Sequence, residues 1–216
     1  MIDIEVKKDS EKYTFEDLYR LIELLRSPEG CPWDRVQTHE TLEKPMIEEA
    51  YEAVDAIEKH SREKLVEELG DVLLQVIFHS IVAEETGEFE FNDITDGCAR
   101  KMLFRHPHVF GDAVAKDAGQ ALSNWEEMKI KEKGFHSVWE DIKDIPEGFP
   151  ALMRAEKRAR KLRKAGERDA LRDDGILPEI DYADEAQVAR LLYSIAAKAE
   201  EAGTDPEMAL LKETLK

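Results

Sequence analysis

Two clusters of acidic residues in the sequence have a spacing suited to binding a metal ion. Glu49 and Glu52 are three residues apart, and Glu68 and Asp71 repeat that spacing. Residues three apart in a helix share one face, about one turn from each other. Ligation by carboxylate oxygens alone, without His or Cys, suits Mg²⁺, with Mn²⁺ as a substitute and Ca²⁺ less suited. The clusters therefore indicate chemistry that depends on a divalent cation.

Spacing alone leaves other interpretations of these acids open. Acidic residues number 49 of 216, so many such pairs arise by chance and most lie on solvated helix faces. However, Leu69, Val72 and Leu73 interleave with Glu68 and Asp71, which places these acids at the border of an apolar stripe. A di-iron carboxylate site is the nearest chemical rival, but it needs Glu-x-x-His on two helices, and neither cluster has it.

The elements that carry these acids are predicted to be helical, because helix-forming residues dominate and no strand pattern stands out. A short connection at 59–61 makes the two acid-bearing helices antiparallel neighbours, so their carboxylates converge. The chain is predicted to be all-α, an antiparallel helical bundle with a small helical C-terminal appendage. The predicted helices cover 14–26, 41–59, 61–87, 93–105, 123–134 (opened by a capping box from Ser123 to Glu126), 151–165, 184–202 and a short stretch after 206.

Composition and charge narrow the class of protein. Hydrophobic residues make up 42% of the chain, enough for a sizeable core, and the net charge is −18. That charge argues against nucleic acid as a partner, because phosphate binding needs a basic surface. The most apolar stretch, 72–83, is too short to cross a bilayer, and the start of the chain has no secretory signal. We therefore expect no membrane partner and a cytoplasmic location.

Five short motifs occur together in one order along the chain. They are Gly30-Cys31-Pro32-Trp33-Asp34 with Gln37-Thr38, Glu48-Glu49-x-x-Glu52, Glu68-Leu69-Gly70-Asp71, Arg105-His106-Pro107-His108-Val109-Phe110-Gly111, and Asn124-Trp125-Glu126-Glu127-x-Lys129. Through them, the stretch from about Tyr13 to Gly148 resembles the MazG nucleoside triphosphate pyrophosphohydrolases of the all-α NTP pyrophosphatase superfamily. Each motif alone would be a weak signal, whereas the combination is highly specific.

The resemblance implies a Mg²⁺-dependent enzyme that converts a nucleoside triphosphate, ribo or deoxyribo, and water into the monophosphate and pyrophosphate. Water would attack the α-phosphorus, and the family's homodimer would be the assembled form. The implied metal ligands are Glu49, Glu52, Glu68 and Asp71. Beside them, Glu48 is the candidate to orient or deprotonate the water. Residues at positions that bind the polyphosphate or lie near the base in this family are Lys64, Lys101, Arg105 and Trp125. Trp33, in contrast, is expected to pack its loop against the core.

The family resemblance also suggests how the chain is divided. We predict a catalytic helical domain at 1–166, a linker at 167–183 and a truncated second copy at 184–216. Gln187 and Arg190 stand where Glu68 and Asp71 stand in the first copy, so the tail is predicted to hold no metal. The alternative function is a nucleotide-binding regulatory or scaffold module with little or no turnover.

Overall fold

A computed structural model describes residues 11–167 and 178–214 and confirms the all-α class. No strand occurs within these two ranges. The helices are α1 (Phe15–Arg26), α2 (Pro32–Arg35), α3 (Glu43–Glu58), α4 (Arg62–Thr86), α5 (Phe91–Arg105), α6 (Pro107–Phe110), α7 (Ala118–Lys133), α8 (Val138–Lys143), α9 (Ala151–Ala165), α10 (Glu185–Glu201) and α11 (Pro206–Thr214). None of the described helices is long and apolar enough to cross a membrane.

Backbone contacts divide the chain into two compact units, Met1–Phe104 and Arg105–Lys216. In the first unit, α3 packs along α4, and α1 packs on both α2 and α4. Its core is built from apolar side chains of α1, α4 and the loop before α3, and the fully buried members are Ile22, Leu42, Ile77, Phe78 and Ile81. The predicted helices at 14–26 and 61–87 match α1 and α4 closely, since Thr14 and Ser61 cap their N-termini.

The C-terminal half of α4 is tied to α1 by polar contacts. Tyr19 donates a hydrogen bond from its hydroxyl to Glu84 Oε1 at 2.5 Å, and the same hydroxyl lies 3.2 Å from Ser80 Oγ. Burial, together with the bond to Glu84, raises the pKa of Tyr19 to about 12. Glu84 also accepts from the backbone N–H of Phe91, the first residue of α5. One carboxylate thus connects α1, α4 and the start of α5.

Arg26 fixes the loop between α1 and α3. Its side chain is buried, and its Nε and Nη2 donate to the carboxylate of Glu85 at 2.9 and 2.6 Å. Its Nη1 donates to the backbone carbonyls of Asp34 and Gln37 at 2.6 and 3.1 Å. A buried guanidinium with four such bonds satisfies both its own donors and the loop's carbonyls. The loop that carries the first motif is therefore held rigidly against α4.

Glycine is required at the start of this loop. The backbone N–H of Cys31 donates to the carbonyl of Leu25 at 2.7 Å, which brings the chain directly over the end of α1. Any side chain at Gly30 would place its Cβ inside the carbonyl oxygens of Leu24 and Leu25. The expected packing of Trp33 is wrong, because this side chain is 63% exposed. The loop is held by the arginine and by backbone bonds, and α2 projects the indole outward.

The second unit is described from α5's last residue onward. Ile142, Ile145 and Leu162 form its buried apolar cluster, with Val138 and Phe149 packed against them. In this unit α8 and α11 both pack on α9, and the backbone N–H of Ala151 donates to the carboxylate of Glu207. The tail helix α11 is thus part of the packing around α9. The functional boundaries at 166 and 183 stay a prediction, and most of the predicted linker lies outside the described residues.

The predicted start of one helix in this unit is wrong. Helix α7 begins at Ala118, five residues before the predicted capping box, because Asp117 caps it by accepting from the N–H of Gln120 at 2.8 Å. The pattern at Ser123 is therefore in the interior of the helix.

Helix α9 is rich in basic residues, and two of them, Arg154 and Arg158, are buried. Arg154 donates to the carbonyls of Ile145 and Pro146, and these bonds hold the preceding loop.

Candidate functional site

Three of the four predicted metal ligands lie together in the structure. One carboxylate oxygen each from Glu49, Glu68 and Asp71 falls within 4.8 Å of the others, across the contact between α3 and α4. Glu68 is buried, whereas Glu49 and Asp71 are half-buried. Glu52 lies one turn beyond Glu49 on α3 and is exposed, outside this group of three. The two helices thus bring both acidic clusters to one place.

The electrostatics of this cluster favour a cation. Burial raises the pKa of Glu49, and the nearby charges of Asp71, Glu52 and Glu68 raise it further. Burial likewise raises the pKa of Glu68, with Glu52 as the next contribution, although Lys64 acts in the opposite direction. Burial and neighbouring negative charges disfavour the ionised form of a carboxylate, and a bound cation stabilises that form. The cluster therefore has the donor set and the charge excess of a divalent-cation site.

Two cations flank the acids on the same helices. Lys64 Nζ lies 3.8 Å from Glu68 Oε1, one turn earlier on α4, and its side chain is 59% exposed. Lys44 Nζ lies 3.1 Å from Glu48 Oε1 on α3, and both of these side chains are exposed. Glu48 directly precedes Glu49 on α3, and its charge makes a small contribution to the raised pKa of Glu49. Lys64 and Glu48 thus border the acidic cluster without belonging to it.

The remaining predicted residues lie on α5 and α7. Lys101 is half-buried on α5, one turn before Arg105. Arg105 is only 6% exposed, and its Nε donates to Glu132 Oε2 at 2.6 Å. Its guanidinium carbon lies 5.0 Å from the ring centroid of Trp125, a cation–π contact. Arg105 is therefore held by two groups of α7.

Trp125 lines a cavity of about 350 Å³ in the second unit, together with His106, His108, Ala121 and Leu122. The rings of the two histidines are 5.6 Å apart, and the Nδ1 atom of His108 is buried without a hydrogen-bond partner. The lining is mainly apolar and includes the rings of Trp125 and the two histidines. Such a wall suits a flat, partly polar group.

Sequence reasoning missed Glu132 and the role of the histidines as cavity walls. The pairing of Arg105 with Glu132 joins positions 27 residues apart, and no local spacing rule reports such a contact. One partial signal exists, because Trp125 and Glu132 are seven residues apart and so share a face of α7.

Comparisons with known proteins identify the family of the chain. The model of the MazG nucleotide pyrophosphohydrolase domain matches residues 37–110, a range that contains all four predicted metal ligands. The nucleoside triphosphate pyrophosphohydrolase/pyrophosphatase MazG of Thermotoga maritima is 39% identical over 214 residues, covering 94% of this chain and 82% of that protein. The nucleoside triphosphate pyrophosphohydrolase of Escherichia coli K12 is 36% identical over 212 residues, or 90% and 81%. The uncharacterized protein YabN of Bacillus subtilis is 43% identical over 145 residues, and the match spans 67% of this chain but only 29% of YabN.

Proposed function

Because the chain belongs to the MazG family of nucleoside triphosphate pyrophosphohydrolases, we propose that it uses Mg²⁺ to hydrolyse nucleoside triphosphates to monophosphates and pyrophosphate. Membership makes the chain an enzyme, a hydrolase acting on phosphoric anhydride bonds. The observation that carries the finer proposal is the convergence of Glu49, Glu68 and Asp71 within 4.8 Å. We expect ribo- and deoxyribonucleotides of the cytoplasmic pool as substrates, and no nucleic acid, since the chain has a net charge of −18.

The acids fit Mg²⁺ by their chemistry. They offer oxygen ligands only, and the raised pKa values of Glu49 and Glu68 reflect negative charge that a cation would neutralise. Glu49, Glu68 and Asp71 would hold the ion, with Glu52 completing the set from the next turn of α3. Mn²⁺ has similar ligand preferences and is expected to substitute.

When bound, Mg²⁺ supplies charge neutralisation for the triphosphate and lowers the pKa of coordinated water. Glu48 is our candidate to orient the attacking water and accept its proton, because it directly precedes Glu49 on α3 and its carboxylate is accessible. The new bond forms between the water oxygen and the α-phosphorus. The bond from the α-phosphorus to the α,β-bridging oxygen breaks, and pyrophosphate leaves.

The substrate contacts follow from the cations and the indole. Lys64 lies beside Glu68 with an exposed side chain, so it can bind a phosphate oxygen from the metal side. Lys101 and Arg105, one turn apart on α5, are proposed to bind the polyphosphate. Trp125 is proposed to contact the nucleobase, since it lines a cavity wide enough for a flat ring.

We also propose that two copies of the chain associate through the outer face of α3 and α4. The apolar residues on that side are largely exposed, with Tyr51 at 63% and Val66 at 68%. The other members of this face are Ile47, Val54, Ile57 and Leu69. A contiguous apolar surface of this kind is typical of a subunit interface. Light scattering should report a dimer, and Val54→Glu should shift it to monomers.

Product analysis tests the function. The protein is incubated with each common NTP and dNTP, with Mg²⁺ or with EDTA, and the products are separated by anion exchange. Monophosphate and pyrophosphate that are lost with EDTA or in Glu52→Ala would support the proposal. Diphosphate and phosphate would overturn attack at the α-phosphorus. Tight binding of nucleotide without product would instead favour a regulatory module.

A further inference from the structure

Arg105, a buried arginine in the second unit, is held by two side chains of α7. Arg105 is 6% exposed, its Nε donates to Glu132 Oε2 at 2.6 Å, and its guanidinium carbon lies 5.0 Å from the ring centroid of Trp125. A guanidinium carries five N–H donors in a planar fork. The carboxylate binds at Nε, so the Nη end is the edge that can bind a further ligand. The position of the guanidinium is therefore restrained by two groups of the protein.

Both restraints come from one helix face. Trp125 and Glu132 are seven residues apart on α7, two turns of helix, so their side chains emerge on the same side. The arginine that terminates α5 bridges them. Long arginine side chains lose much rotamer freedom when they bind a ligand, and a side chain fixed in advance has less to lose. The arrangement is thus a prepared binding edge rather than a flexible surface cation.

We propose that Glu132 is a positioning residue of the nucleotide site, which aims the Nη edge of Arg105 at a phosphate oxygen and keeps the guanidinium packed on Trp125. The inference rests on the proposed function, in which Arg105 and Trp125 contact the nucleotide. Glu132 touches no substrate atom in this scheme. Its carboxylate acts on substrate affinity through the arginine, so its removal should raise KM and leave kcat nearly unchanged.

A double-mutant cycle tests this, with kcat and KM measured in Mg²⁺ for wild type, Glu132→Ala, Arg105→Ala and the double variant. Glu132→Ala should raise KM about 10-fold, the effect of losing one charge-assisted hydrogen bond. The double variant should bind no worse than Arg105→Ala alone, because Glu132 has nothing left to position. Glu132→Gln, which keeps an acceptor for Nε, should recover part of the affinity.

The neighbouring pair provides a matched control. Lys133 Nζ lies 2.8 Å from Asp144 Oδ2, with exposures of 37% and 32%, close to the 33% of Glu132. Asp144→Asn should leave KM unchanged. An unchanged KM with a lower melting temperature in Glu132→Ala would make the Arg105 pair merely structural and overturn the proposal. Additive effects in the double variant would overturn it too.

Two measurements on the metal-free protein separate this proposal from the proposed function. Inorganic tripolyphosphate is titrated calorimetrically in EDTA, and Glu132→Ala should bind it about 10-fold more weakly than wild type. In a Trp33→Phe, Trp139→Phe background, acrylamide should quench Trp125 more strongly once Glu132 is removed. If the wild type hydrolyses no nucleotide, the proposed function fails, while these two results still decide the role of Glu132. Equal tripolyphosphate affinity and equal quenching would contradict it.

Discussion

Helix α10 is the predicted counterpart of α4 in the tail, and the matched positions of the two helices have different surroundings. Glu68 of α4 lies in the second turn and faces α3, whereas Gln187, which matches it, lies in the first turn of α10. Gln187 Nε2 donates to Asp184 Oδ2 at 2.8 Å, and this aspartate accepts from two backbone N–H groups at the helix start. These bonds lower the pKa of Asp184. The position that supplies a carboxylate to the acidic cluster in α4 therefore supports the N-terminal cap, Asp184, in α10.

The two helices also differ in how they are covered. The C-terminal half of α4 is buried against α1, with Arg26 and Tyr19 bound to its acids. In α10, Leu192, Tyr193 and Ile195 are exposed. A carboxylate site needs a partner helix that supplies further ligands and excludes water, and α3 does this for α4. The difference teaches that two acids at the right spacing are insufficient without a second helix beside them.

The largest expected effect comes from removing the buried acid of α4. Glu68→Gln should lower kcat/KM by about 100-fold or more, since even indirect partners of a metal ligand cost 10- to 100-fold. In EDTA the same variant should melt at a higher temperature than wild type, because it removes one of the negative charges that, after burial, raise the pKa of Glu49. Steady-state kinetics and calorimetry check both results.

Glu67→Gln is the matched control for that variant, because Glu67 is exposed and adjoins Glu68 in sequence. It should leave kcat/KM and melting nearly unchanged. Equal losses in the two variants would show that α4 loses activity through general charge effects rather than through the cluster.

A second large effect concerns the packing of α4 on the loop. Arg26→Met should destabilise the first unit by about 3 kcal/mol, because it removes the four bonds of a buried guanidinium, including the one to the carbonyl of Gln37. Urea unfolding followed by circular dichroism measures the change. Lys59→Met, which breaks an exposed pair with Asp55, should cause no measurable loss. Similar midpoints for both variants would mean that Arg26 does not hold the loop.

A smaller effect is a pH dependence of stability, which should arise from a pair of histidines, one of them on α4. His39 Nδ1 lies 2.7 Å from His79 Nδ1, and Glu88 lies 3.9 Å from the other side of His39. Burial, and then the charge of His39, lowers the pKa of His79 below 6.5. As the pH falls, His79 therefore binds a proton in the unfolded chain before it does so in the folded chain. The contribution of neutral His79 to the free energy of unfolding is present above pH 6.5 and is lost as the pH falls toward the pKa of the folded state.

Melting curves between pH 7.5 and 5.5 check this, with wild type compared to His79→Gln. The variant should lose about 2 °C less than wild type over that range. His136→Gln is the control, because His136 is exposed and lies far from His79 in the sequence. Parallel curves for all three proteins would rule out the histidine pair as the source.

The smallest effect is expected where the two helices are made more alike. Gln187→Glu with Arg190→Asp gives α10 the acids of α4, yet no Glu-Glu-x-x-Glu motif precedes α10 in the tail sequence. Titration of Mg²⁺ should find the same number of sites per chain as in wild type. An added site would mean that spacing alone is sufficient, and the lesson of the comparison would fail.

Much of the fold follows from local rules. Thr14, Ser61 and Gly87 mark helix ends in the sequence, and the structure has caps at these positions. The predicted start of α7 is wrong because the sequence has two candidate caps, Asp117 and Ser123, and Asp117 accepts a hydrogen bond from the N–H of Gln120. Propensity cannot rank such caps when the choice depends on packing further along the helix.

Part of the candidate site also follows from local rules, and part does not. The convergence of Glu49 with Glu68 and Asp71 follows from helical periodicity and a three-residue connection. The contact of buried Arg105 with Glu132 instead joins two residues that are 27 positions apart in the sequence. Local patterns therefore predict which residues share a face, and only tertiary packing determines which faces meet.

The close approach at Gly30 has a consequence for any selection experiment on this enzyme. A saturation library at that codon should return glycine almost exclusively, because every other residue would collide with the end of α1. Gly30 contacts no group of the acidic cluster, so such intolerance would have a purely steric origin. Deep mutational scans score depletion without its cause, and position 30 would be misassigned to the catalytic machinery unless protein abundance were measured in parallel.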